Sequence, residues 1–157
     1  MAQRVLVCVP VTAEQAGLVA EGRTMPGPLQ VFTVTRDLMD TFGLQPGDEE
    51  QAEFAALLLA GLWSLREYGK RLVLIAKVNQ AGLRPGAEQA NGGQLLGELP
   101  AAAVEAWFAD EAATPVAAAV GAIRGLSLDE AWEAPEVHDL HAHYDLLWHS
   151  VVELRKE

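Results

Sequence analysis

RVLVCVPV, residues 4–11, sets the class of this protein. Every position after Arg4 is apolar, and valine recurs at 5, 7, 9 and 11. A short, β-branched run with no polar alternation reads as a strand covered on both faces. Such a strand belongs in the middle of a layered fold, with helices on each side of a sheet.

The residues after this run support that reading. Thr12 offers an N-cap, with Gln15 three residues on as its capping-box partner, for a short helix over 13–20 that ends near Gly22. MPGP (25–28) reads as a turn, and LQVFTV (29–34) as a second strand. Thr35 can cap a further short helix, RDLMDTF, closed by Gly43. Residues 48–68 form the clearest helix. Asp48 is the expected cap and Gln51 its box partner. Glu49, Glu50 and Glu53 suit the positive end of the helix dipole, and Gly69 suits the C-terminal stop. Phe54, Leu57, Leu58, Gly61, Leu62 and Leu65 recur at helical spacing as its apolar face.

RLVLIAKV (71–78) is a third strand. Residues 79–93 read as a flexible loop, 94–99 and 104–109 as two more strands around Pro100. A helix comes next over 111–123, with Pro115 in its first turn. SLDEAWEAPE (127–136) is a short acidic helix or loop. The last segment supports two periods. Leu146, Trp148, Ser150, Val152 and Leu154 line up in a strand, whereas Leu140, Tyr144, Leu147, Val151 and Leu154 line up in a helix. Aromatic and β-branched content around 147–152 favours the strand. The expected fold is therefore α/β in the layered α+β sense. A mixed sheet of about six strands packs with helices in one domain, 1–157.

Bulk properties narrow the function. A chain of 157 residues, half of them hydrophobic, has enough for one core. The net charge of −11 repels phosphate backbones and anionic membranes, so neither nucleic acid nor membrane is an expected partner. One cysteine, Cys8, excludes a disulfide framework and fits a reducing compartment. No apolar run approaches the roughly 18 residues of a membrane span, and the N-terminus does not read as a signal peptide. A cytoplasmic protein is expected.

The succession RVLVCVPVT, PLQVFTVT, GDEEQAEFAALLLA, RLVLIAKV and DLLWHSVVEL resembles a family of short, mostly actinobacterial proteins known as a domain of unknown function. The resemblance runs over most of the chain. It rests on core and junction residues, so it implies a fold and brings no catalytic residue with it. That family pattern has no histidine cluster at 138–143.

All four histidines lie in HDLHAHYDLLWHS, 138–150. His141, His143 and Asp145 alternate, and in extended chain they share a face, with the two histidines roughly 6.5–7 Å apart at Cα. In a helix, His141, Asp145 and His149 would share one instead. Either set could ligate Zn²⁺, with Glu136, Asp139 or His138 as general base of a metal-dependent hydrolase. The plainer reading is a polar linker before the last strand, with His149 on its solvent face. Neither HExxH nor CxxC occurs. The glycines of AGLRPG and NGGQ match no phosphate loop, and Ser64, Ser127 and Ser150 lie in no GxSxG. Cys8 belongs to the core run. Among the tryptophans 63, 107, 132 and 148, Trp132 stands out by its polar setting, which points to a partner surface.

The expected function is a non-catalytic module that binds a protein or a small ligand, without a cofactor. A homodimer through the edge of the final strand fits the same pattern. The alternative is the zinc hydrolase on His141, His143 and Asp145.

Overall fold

The computed structural model describes residues 3–155, apart from the side chain of Arg155. Met1, Ala2, Lys156 and Glu157 lie outside the described residues. Among the described residues seven strands form one sheet: β1 (Arg4–Pro10), β2 (Met25–Phe32), β3 (Leu72–Asn79), β4 (Leu83–Pro85), β5 (Gly93–Leu99), β6 (Val104–Ala109) and β7 (Leu147–Ser150). Their order across the sheet is β4-β5-β2-β1-β3-β6-β7. Among the described residues seven α-helices accompany them: α1 (Ala13–Ala20), α2 (Arg36–Thr41), α3 (Glu49–Tyr68), α4 (Ala117–Ile123), α5 (Leu128–Trp132), α6 (Pro135–His143) and α7 (Val151–Arg155).

β1 is the central strand and is covered twice. Val7, Val9 and Val11 face one core with Leu72, Leu74, Trp107 and the α1 residues Ala16 and Val19; Leu154 of α7 closes it. Cys8 and Phe32 face the other core, which is built on α3, α4, α5 and α6. Alternation along one strand thus feeds two hydrophobic layers. Burial holds the Cys8 thiol at a pKa of about 12, with the nearby Glu53 charge adding to the effect.

Every adjacent pair is antiparallel, so the sheet is not mixed. The reason lies in the connections. α1 rises only about 12 Å, too short to carry the chain back along the roughly 23 Å of β1. β1 and β2 therefore run in opposite directions. α3, at about 30 Å, is long enough for a crossover. β2 and β3 do run parallel through it, but β1 lies between them and is antiparallel to both.

Capping signals mostly hold. Thr12 and Gln15 form the full capping box of α1, and the Thr35 hydroxyl accepts from the Leu38 amide. Asp48 departs from expectation. Its backbone is not extended (φ −98°, ψ 27°), and its carboxylate accepts from the Gln45 amide at 2.9 Å instead of capping α3. Gly69 ends α3 in the left-handed region, as expected (φ 81°).

Four other segments differ. MPGP is not a separate turn but the start of β2, with a register shift between Pro26 and Leu29. The prolines are tolerated because β1 pairs with β2 only around Cys8 and Phe32. Gly27 there approaches the Gly97 carbonyl so closely that a Cβ would collide with it. The loop 79–93 contains the edge strand β4. α4 starts only after Pro115, since the residue before a proline resists helical backbone. Phe54 points to water, and the buried face of α3 runs instead through Ala52, Ala56, Leu59 and Leu62.

Candidate functional site

A cleft of about 1150 Å³ opens on the α1 side of the sheet. α1 forms one wall with small residues only, Ala13, Ala16, Gly17 and Ala20. Leu72, Trp107 and Ala109 form the floor, and Leu147, His149 and Leu154 the opposite wall. The small wall leaves the cleft open, and a Cβ at Gly17 would meet nothing within 4 Å.

Among the polar side chains that line the cleft, which include Lys70 and Glu111, two are held in defined contacts. Trp107 and His149 are directly paired across β6 and β7, which puts both on one face. Their rings stack, with centroids 4.1 Å apart and planes 17° apart. The Trp107 indole N–H donates to the Ser150 carbonyl at 3.0 Å. The His149 Nδ1 meets Glu153 Oε2 at 2.8 Å, one helical turn along on α7. With Nδ1 protonated and engaged by the carboxylate, Nε2 is the nitrogen left for solvent or a ligand. A ring held by a stacked indole and a carboxylate is a preorganised hydrogen-bonding group.

The second group is Arg71. Leu72 pairs with Ala109, so Arg71 and Asp110 meet just beyond the strand ends. The Arg71 Nε donates to Asp110 Oδ2 at 2.9 Å, and Nη2 donates to Asp110 Oδ1 and to the Tyr144 carbonyl. Arg71 is 2% exposed, and its Nη1 has no partner within the protein. The ion pair ties the start of β3 to the end of β6 and to the chain entering β7. It fixes the strand on which His149 sits.

A model of a family of unknown function, DUF6912, matches residues 5–156. The chain belongs to this family. The resemblance carried by its core and junction residues is thereby established. No curated protein and no solved structure matches the chain.

The histidine segment of this DUF6912 protein splits between elements. His138, His141 and His143 are on α6, Asp145 is in the exposed connection, and His149 is on β7. Two residues apart on a helix, His141 and His143 point in nearly opposite directions. His141 packs against Trp132, with centroids at 5.1 Å, and its Nε2 is buried without a partner. Burial, then the nearby Arg71 and His138, push its pKa down to about 4. His143 Nδ1 instead lies 2.9 Å from an Asp139 carboxylate oxygen, in water. Among the described residues no group of three or more His, Cys, Asp or Glu side chains converges as a metal site.

Trp132 is not the exposed anchor expected from its setting. It packs edge-on to Phe42 at 5.3 Å and joins the second core. The exposed tryptophan is Trp148, at 61%. Arg71 and Asp110 escaped the sequence reading altogether. Their only signal was an arginine just before one strand and an aspartate just after another, which gains meaning once β3 and β6 are known to pair.

Proposed function

We propose that this DUF6912 protein is a small-ligand-binding module, and that the cleft between α1 and the β6–β7–α7 edge is its site. The observation that carries the reading is the cleft itself: a mostly apolar floor with the His149 imidazole held ready by Trp107 and Glu153. Large apolar hollows with a few oriented polar groups are where small molecules bind. The small face of α1 supports it too. Gly17 has open space where a Cβ would stand, so its size serves the hollow and not the packing of the helix.

The test is a screen of small polar and aromatic compounds against the whole chain, read as a rise in melting temperature. Compounds that bind wild type should lose their effect on Gly17→Trp, which fills the cleft and leaves the core untouched. Hits that stabilise both proteins equally would place binding elsewhere and defeat the reading.

A further inference from the structure

The two edges of the sheet are built differently. β4, at one edge, has three residues and carries Arg84 and Pro85, both of which discourage strand addition. β7, at the other edge, reads LWHS and has neither charge guard nor proline. β6 occupies one side of it, and its other side is free among the described residues. Leu147, Trp148 and, just beyond in α7, Val152 are all among the exposed large hydrophobics. The stretch 146–152, LLWHSVV, holds no aspartate, glutamate, lysine or arginine in a chain of net charge −11.

We propose that β7 pairs with β7 of a second copy, giving a two-fold dimer with one continuous sheet. Charge selects a second copy as the occupant. Two chains of charge −11 repel over most of their surfaces, and this uncharged strip is where they can meet without opposing like charges. Backbone geometry agrees. A two-fold axis normal to the sheet makes the two edge strands antiparallel, the pairing used throughout this sheet, and such an interface is self-complementary. That axis keeps each face on its own side. Trp148 of each copy then lies on the α3 side beside the axis, with the register centred on Trp148 opposing ring to ring. The two clefts open together on the other face, with Leu147 and His149 of both copies along the join. This pairing is independent of what the cleft binds.

Sedimentation equilibrium on the full chain, from micromolar to near-millimolar concentration, tests it. Wild type should give a monomer–dimer equilibrium. Trp148→Glu should weaken association by at least about tenfold, since each copy then opposes a charge to its own image. Arg84→Glu, on the guarded edge, should leave it unchanged. Amides of β7 that face away from β6 should also exchange more slowly as protein concentration rises, a readout that needs no variant. A wild-type chain that stays monomeric overturns the proposal and leaves the edge to a foreign strand. So does a dimer that Trp148→Glu leaves intact with β7 exchange unchanged.

Discussion

Arg71 is almost withdrawn from solvent, so its charge has to be answered inside the protein, and Asp110 and the Tyr144 carbonyl answer it. Removing one member of such a pair strands the other. Asp110→Ala should therefore cost about 3–5 kcal/mol in urea unfolding, whereas Arg71→Met with Asp110→Leu should recover most of that loss. His141 makes the opposite demand, because it is held neutral. Its folded pKa of about 4 lies below its ordinary 6.5. The unfolded chain binds the proton first, so between those values stability falls as pH falls. The partly accessible ring should contribute about 2 kcal/mol of this slope. His141→Phe keeps the contact with Trp132 and should flatten the slope relative to wild type; an unchanged slope would assign it to other groups. Neither residue's role could be read from the chain alone. Arg71 depends on a partner 39 positions away. His141 depends on whether the segment is helical, and the alternation that grouped it with His143 and Asp145 holds only in extended chain.

Elements differ in how far local chemistry determines them. α1 is capped through a reciprocal box within four residues, which is why it was legible. Thr12→Ala should cost about 1 kcal/mol. Asp48→Ala should cost α3 far less as a lost cap, because Asp48 makes no side-chain cap bond. Thermal unfolding of the pair of variants separates the two cases, and equal losses would show that Asp48 caps in solution. Gly17→Ala should add about 0.5–1 kcal/mol, since glycine weakens a helix interior and the added methyl meets nothing. The last segment was ambiguous because it satisfied two periods at once, and neither ran its full length: the strand stops at Ser150, and the helical stripe breaks at Tyr144 and Leu147, which lie outside α6 and α7. α6, β7 and α7 share the residues from 135 to 155. The helical stripe through Leu140 and the strand around Trp148 belonged to different elements.

At the scale of the molecule, the two-sided strand at 4–11 was enough to imply a layered fold, and the doubly covered β1 meets that expectation. Strand direction was not readable in the same way. It turned on whether α1 or α3 could span a strand, and on β1 inserting between two parallel strands. The cleft was less legible still, because its lining is drawn from α1, the start of β3, β6 and residues 110–116 beyond it, β7 and α7, and many of those residues are alanine, glycine or leucine. No such residue announces a site. The hollow exists because small residues of one helix face a stacked tryptophan and histidine from the paired strands β6 and β7.

The most direct test of the cleft as a ligand site is the indole N–H region of a nitrogen–proton correlation spectrum during titration with hits from the compound screen. The four tryptophans report on separate places, and only Trp107 floors the cleft. If the cleft is the site, the Trp107 indole signal moves with saturation, together with amides of Gly17 and His149, while Trp63 and Trp132 hold still. Saturable binding that shifts Trp63 or Trp132 and leaves Trp107 unmoved would contradict it.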